Sequence, residues 1–259
     1  MSWALIAGGG KGIGYSVAEA LARRKYDLML VARSVQELTE AEIKLEKNFD
    51  IQVEILSCDL SLSESAALIS DWCMAKSHDL KIICYAAGLG GSKDFPELPW
   101  NDLRTMVRTN LESAIALIST LIPVLEKNAP SYIMTISSLA GFAPFPMKNV
   151  YAATKSALIS FSYSLRYNLK ERNISVSCLC PGPVFTKPSI EQETIKQLGW
   201  IGKQMAVSPT LAGELAVRGM FRHKMIIVPG KLAKIVSFLL RVLPHRLIAG
   251  TIYSFRKQK

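Results

Sequence analysis

The segment ISSLAGFAPFPMKNVYAATK, residues 136–155, holds a serine pair, Ser137 and Ser138, then Tyr151, and Lys155 four places later. A helix starting near Asn149 would set Tyr151 and Lys155 on one face, one turn apart. One chemistry open to that pair is proton donation by a phenol tuned by a cation. Free tyrosine has a pKa of about 10, and a nearby ammonium stabilises phenolate and lowers that value. The other reading is an amphipathic helix with a solvated lysine and a packing tyrosine. The two serines close an apolar strand, where alternation sends their hydroxyls to opposite faces.

Other elements must position these groups. WALIAG, DLMLVA, IQVEILSC, KIICYAAG, SYIMTISS and ISVSCLC read as short buried strands. Helical patterns over 12–24, 34–47, 61–76, 97–128 and 149–172 separate them. Strands alternating with helices imply a parallel sheet covered on both sides. Pro123 predicts a bend or an end inside 97–128, and Pro130 a loop before the next strand. PGPVFTKPSIEQETIKQLGW holds three prolines and then a helical stretch, which reads as a flap. SPTLAGELAVRGMF opens with a Ser cap and a first-turn proline, the start of a helix. KMIIVPG reads as a last strand ended by Pro229 and Gly230.

The stretch LIAGGGKGIGYSVAEALA runs strand, glycine loop, helix, with Gly8, Gly12 and Gly14 spaced GxxxGxG. Glycines allow a sharp turn and let backbone N–H groups approach a pyrophosphate at a helix N-terminus. A bare tight turn is the alternative, but the strand-to-helix context favours the phosphate loop. An NAD-preferring site places a carboxylate after the next strand to hold the ribose 2′-hydroxyl. Here LMLVARS brings Arg33, with no acid before Glu37, and Lys11 adds a second cation in the loop. Two cations suit a 2′-phosphate, so NADP is expected over NAD, the alternative being two surface cations without a ligand. In SCDL, Asp59 could meet an adenine amino group or serve as an ordinary helix cap.

Together these residues resemble the short-chain dehydrogenase/reductase family, in order over about residues 3–186. Gly8-x3-Gly12-Ile13-Gly14 is similar to its cofactor loop and Asp59 to its adenine contact. Asn110 in RTNLESA resembles the helix asparagine of its catalytic set. Ser138 precedes Tyr151 by 13 residues and Lys155 follows by four, as in the family's Ser and Tyr-x3-Lys; this spacing favours Ser138 over Ser137. CPGPVFT resembles the turn that holds the nicotinamide, with Pro181, Gly182, Val184 and Thr186. The resemblance implies a Rossmann-type doubly wound α/β fold with a seven-stranded parallel sheet, and interconversion of an alcohol with a ketone or aldehyde by NADP(H). It implies that Tyr151 donates or accepts the proton and that Ser138 hydrogen-bonds the substrate oxygen. Lys155 would hold the nicotinamide ribose, and Asn110 would anchor a water relay. The expected catalytic set is Asn110, Ser138, Tyr151 and Lys155. The expected cofactor contacts are Gly8, Gly10, Lys11, Gly12, Ile13, Gly14, Arg33, Ser34, Asp59, Leu60, Ala87, Gly88, Tyr151, Lys155, Pro181, Gly182, Val184 and Thr186. A dimer or tetramer through 97–128 and 149–172 is implied too. The chain departs from the pattern twice. Ala7 stands where Thr is usual, and YAAG, residues 85–88, where NNAG is usual, which removes amides that brace the central strands. Both departures bear on cofactor affinity more than on chemistry.

Bulk properties limit the alternatives. The 259 residues, 49% hydrophobic and 20% charged, suit a globular α/β domain and argue against disorder. We assign 1–230 to one catalytic domain and 231–259 to an extension. The five cysteines contain no CxxC and read as buried free thiols in a reducing compartment. The only histidines are His78, His223 and His245, far apart, so no metal site is expected. The N-terminus lacks a basic start and a long apolar core, and no run reaches the roughly 18 apolar residues of a spanning helix. The expected location is the cytoplasm or the inner face of a membrane.

The net charge of +10 is concentrated at one end. After Glu214 there is no acid, while Arg218, Arg222, Lys224, Lys231, Lys234, Arg241, Arg246, Arg256, Lys257 and Lys259 all follow. In KLAKIVSFLLRVLPHRLIAGTIYSFRKQK, the spacing of Lys231, Lys234, Arg241 and His245 predicts one basic helical face. Leu232, Ile235, Val236, Leu239, Val242 and Leu243 fill much of the rest, until Pro244 breaks the helix. Such a helix suits a membrane surface, or it packs on the body or on another subunit. Nucleic acid is not an expected partner, because no recognition fold accompanies the bases. An apolar substrate is expected, since the flap offers Phe185, Ile190, Ile195, Leu198, Trp200, Ile201 and Met205, unless these pack in the core. The competing reading is a membrane-attached nucleotide-binding or scaffold protein with little turnover.

Overall fold

A computed structural model describes residues 1–76, 79–91, 95–186 and 188–257. His78 and Lys259 lie outside the described residues, as do the side chains of Leu198, Ile201, Arg256 and Lys257. The first half alternates β1 (Trp3–Ala7), α1 (Gly12–Ala22), β2 (Asp27–Ala32), α2 (Val35–Asn48), β3 (Val53–Ser57), α3 (Ser65–Ala75) and β4 (Leu80–Tyr85). There follow α4 (Trp100–Val107), α5 (Ser113–Lys127), β5 (Ser131–Ile136), α6 (Asn149–Asn168) and β6 (Ile174–Leu179). The chain continues through α7 (Pro188–Met205), α8 (Pro209–Phe221), β7 (Ile226–Ile227), α9 (Lys231–Val242) and α10 (His245–Lys257).

The apolar runs form one seven-stranded sheet in the order β3-β2-β1-β4-β5-β6-β7. Every pairing is parallel. Alternation sorts side chains to two cores. Trp3, Leu5 and Ala7 of β1 face a layer with Ile69, Leu117, Leu121 and Leu158 from α3, α5 and α6. Ala4 and Ile6 face Val17, Leu21, Leu38, Val217 and Met220 from α1, α2 and α8. Both faces are therefore covered, as a parallel sheet requires. The strand order reverses between β1 and β4, and in open sheets of this kind the crevice at the strands' carboxyl ends receives ligands.

The long helix expected over 97–128 is three pieces. A π-helical turn, Arg108–Glu112, separates α4 from α5. The break therefore precedes Pro123, which α5 accommodates internally. His245 is also corrected: α9 ends at Val242, and His245 opens α10 beyond Pro244, so it does not extend the α9 face. The extension packs on the body, with Ala233, Leu240 and Ile248 joining Leu139, Ile159, Cys178, Cys180 and Met205 in a third core cluster. All five cysteines are buried free thiols.

Candidate active site

The two serines at the end of β5 have diverged. Ser137 points into α6 and donates its hydroxyl to the Lys155 carbonyl at 2.7 Å. Ser138 faces the crevice and caps the short turn Leu139–Gly141, its Oγ accepting from Ala140 N–H at 3.2 Å. Gly141 lets this turn lie against α6, since a Cβ there would stand 2.8 Å from the Lys155 carbonyl. Of the two serines, Ser138 is the one hydrogen-bonded with Tyr151.

Tyr151 and Lys155 share a face of α6, as the four-residue spacing requires, and the Lys155 Nζ lies 5.8 Å from the Tyr151 ring centroid. Lys155 is buried, and its ammonium donates to the Ile136 carbonyl at 2.7 Å. Burial draws the Lys155 pKa down to about 8. The Tyr151 phenol departs from expectation. Burial raises its pKa above the ordinary tyrosine value, and a hydrogen bond with Ser138 works in the opposite direction. The dominant influences on the phenol are desolvation and Ser138, whereas the sequence had pointed to the ammonium.

Asn110 sits in the π-helical turn and is fully buried. Its Oδ1 accepts from Leu89 N–H at 2.7 Å. Its Nδ2 donates to the Leu89 carbonyl at 2.9 Å and to Thr154 Oγ1 at 3.1 Å. This one side chain joins the loop after β4 to α6. The turn itself is held by Tyr85, whose hydroxyl donates to the Thr109 carbonyl at 2.7 Å. Tyr85 is the first residue of YAAG, so a phenol braces the sheet to the helix where an amide was expected. Neither Tyr85 nor Thr154 stood out as a site residue in the sequence; the YAAG departure was the only signal for Tyr85, and Thr154 had none.

The glycine loop is packed to the limit of its backbone. A Cβ on Gly14 would lie 2.0 Å from the Gly8 carbonyl oxygen, and one on Gly8 (φ +90°) 2.6 Å from Ala87 N. Gly8 and Gly9 N–H groups donate to the Val31 carbonyl at 2.7 and 3.2 Å. Helix α1 starts at Gly12, so its first N–H groups have no partner within the helix. Thr186 closes the other side, its methyl 3.5 Å from the position of a Gly12 Cβ. Ile13 packs into the core below. Glycines at Gly8, Gly9, Gly10, Gly12 and Gly14 leave the backbone open on the side not taken by Lys11 and Ile13, a cradle that fits the pyrophosphate of a dinucleotide.

The other residues expected to meet a cofactor are placed by contacts of their own. Leu139 N–H donates to the Pro181 carbonyl at 2.9 Å, tying the Ser138 turn to the turn after β6. Val184 bridges to Val207, and Gly182 packs beside Leu139. Gly88 adjoins Lys155, whose Nζ lies 3.1 Å from the position of a Gly88 Cβ; Ala87 lines Gly8 as described. Ser34 caps α2, accepting from Glu37 N–H at 3.2 Å. Asp59 accepts from Ser61 N–H at 2.9 Å, which holds its carboxyl below the usual range; Arg33 adds a weaker pull in the same direction. Asp59 is thus a local turn cap next to buried Leu60. Arg33 is exposed, but Lys11 is ion-paired with Glu37. Gly10 backs onto Glu37 and Ala32.

The flap is helical with a kink at Gly199 (φ +57°). Met205 packs into the core, while Ile195 and Trp200 are exposed and Phe185 and Ile190 half-buried. No group of three or more potential metal ligands occurs among the described residues.

Residues 2–196 match the family described as short chain dehydrogenase. The very-long-chain 3-oxoacyl-CoA reductase of Rattus norvegicus is 30% identical over 191 residues, 71% of this chain and 60% of that protein. The chain therefore spans about three fifths of that relative's length. Among solved structures, the short-chain dehydrogenase from Sphingobium yanoikuyae in complex with NADPH superposes with a TM-score of 0.78. It is 23% identical, with 88% of this chain and 87% of that one covered. A 7beta-hydroxysteroid dehydrogenase structure gives a TM-score of 0.87 at 16% identity, covering 97% and 96%.

Proposed function

Because this chain belongs to the short-chain dehydrogenase/reductase family, we propose that it is an NADP-dependent oxidoreductase interconverting an alcohol and a ketone or aldehyde. The observation that carries this reading is convergence. Asn110, Ser138, Tyr151 and Lys155 come from a π-helical turn, a strand end and a helix, and meet at the carboxyl edge of the sheet beside the glycine cradle.

NADP(H), when bound, supplies a hydride to the carbonyl carbon or takes one from the carbinol carbon. Tyr151 gives its phenolic proton to the carbonyl oxygen in reduction and takes it back in oxidation. Ser138 hydrogen-bonds both Tyr151 and that oxygen, stabilising negative charge as it develops. Below about pH 8 Lys155 carries an ammonium that stabilises the phenolate formed. Asn110 keeps the loop after β4 seated on α6, and so fixes the wall of the site.

Arg33, Lys11 and Ser34 at the end of β2 and in the glycine loop support NADP over NAD, because cations suit a 2′-phosphate. Ile195, Trp200, Phe185 and Ile190 on and before α7 support an apolar substrate. The relatives named for very-long-chain 3-oxoacyl-CoA and for hydroxysteroids point the same way. Exposed Val107, Ile115, Tyr163 and Tyr167 on α4, α5 and α6 support a homodimer or homotetramer through those helices.

The test is NADPH and NADH oxidation with a panel of ketones, long acyl-chain carbonyls and steroid ketones. Turnover with NADPH that Tyr151→Phe abolishes, while the variant still binds NADPH, is the expected result. NADPH binding without turnover of any member would favour the nucleotide-binding scaffold.

A further inference from the structure

We propose that α9 and the start of α10 form a docking face for an anionic lipid surface. Helix α9 has two apolar faces. One, at Ala233, Ser237 and Leu240, is buried against the body. That face satisfies the packing requirement of an amphipathic helix. The opposite face carries Ile235, Phe238, Leu239 and Val242, all exposed, with Phe238 at 60%. Leu243 and Leu247 continue the exposed apolar surface past Pro244.

Charge identifies what covers this face. Lys231, Lys234, Arg241 and Arg246 lie in or beside the stripe, and all four are exposed. Among the described residues, none of the four is paired with a carboxylate. Arg241 instead donates to the Ser237 carbonyl at 2.9 Å and lies over the Phe142 ring. No acidic residue follows Glu214 anywhere in the sequence. A second copy docked face to face would bring two such sets of cations together without a carboxylate between them. Anionic headgroups above an apolar interior match both the bases and the stripe. No described helix is long and apolar enough to cross a membrane, so α9 would lie in the plane of the interface.

The buried face of the same helix adjoins the site. Ala233 Cβ lies 3.7 Å from the position of a Gly182 Cβ, so α9 packs directly on the turn after β6. An apolar substrate dissolved in the lipid would meet the crevice from this side. That consequence rests on the proposed oxidoreductase reading, whereas docking itself does not.

The test is co-sedimentation of the full chain with phosphatidylcholine vesicles, with and without phosphatidylglycerol. Binding to the anionic vesicles alone, weakened at high salt, is expected. Lys231→Ala with Lys234→Ala should lower binding roughly thirty-fold, and Phe238→Ser about tenfold or more. Far-UV circular dichroism and NADPH binding serve as controls that both variants fold. Recovery of folded wild-type protein in the supernatant with anionic vesicles would overturn the proposal. So would a dimer, seen by light scattering, that Phe238→Ser dissociates, because a second copy would then occupy the face. Failure of turnover with vesicle binding intact would count against the reaction and leave docking standing.

Discussion

Ser137 donates its side-chain hydroxyl to the backbone carbonyl of Lys155, across 18 positions of sequence, at 2.7 Å. This bond seats the end of β5 on α6, while the hydroxyl of Ser138 turns to Ala140 N–H and Tyr151. It separates two neighbouring serines, one bound to the backbone of α6 and one beside Tyr151, which we propose acts on the substrate oxygen.

The separation has a measurable consequence. Ser138→Ala should lower kcat for carbonyl reduction by roughly a hundredfold or more while leaving the melting temperature nearly unchanged. Ser137→Ala should do the reverse, destabilising the fold by about 1 kcal/mol with turnover within a few-fold of wild type. Equal loss of kcat in both variants would contradict the assignment.

Burial of Lys155 predicts a pH dependence of stability. Its folded pKa of about 8 lies below the ordinary lysine value of 10.5. Between these values the unfolded chain binds more protons than the folded one, so this group makes stability rise as pH increases. From about pH 7.5 to 9.5 the gain from this group should be about 2 kcal/mol. Lys155→Met should remove that increment, which urea unfolding of both proteins across the range will read. The opposite slope, or none, would place the lysine in solvent.

Tyr85 should act on the site through the π-helical turn. Tyr85→Phe deletes the hydrogen bond to the Thr109 carbonyl and leaves that carbonyl without its partner, destabilising the protein by about 1–2 kcal/mol. Because Asn110 follows Thr109, kcat should fall several-fold with the KM for NADPH little changed. Steady-state kinetics beside thermal denaturation tests this, and a variant equal to wild type in both would remove Tyr85 from the positioning set.

The ion pair of Lys11 with Glu37 sets a further expectation about the cofactor. On the proposed NADP reading, Glu37 would compete with a 2′-phosphate for the same ammonium. Glu37→Gln should tighten NADPH binding several-fold and leave NADH nearly unchanged, while Arg33→Ala should weaken NADPH selectively. Isothermal titration with both nucleotides measures the ratio, and equal shifts for the two would show that neither residue reads the phosphate.

Much of the molecule was legible along the chain because its signals are local. Apolar runs alternating with helical patterns dictated a covered parallel sheet, since each element's periodicity depends only on its own residues. The GxxxGxG spacing fixed a tight glycine turn, and the four-residue step from Tyr151 to Lys155 fixed a shared helical face. The order of these motifs also pointed to Asn110 and Ser138. What tertiary structure alone decided are relations between distant segments. Ser137 turned to Lys155, Tyr85 to Thr109, and Lys11 to Glu37 because packing brought those atoms together, and no spacing rule links them. The break before Asn110 arose from a π-helical turn rather than from the proline visible in the sequence. The Tyr151 phenol was raised rather than lowered because desolvation depends on everything around it. The tail, apolar on more than one side, became half body and half surface only when the third core cluster claimed Ala233 and Leu240 and left Phe238 outside.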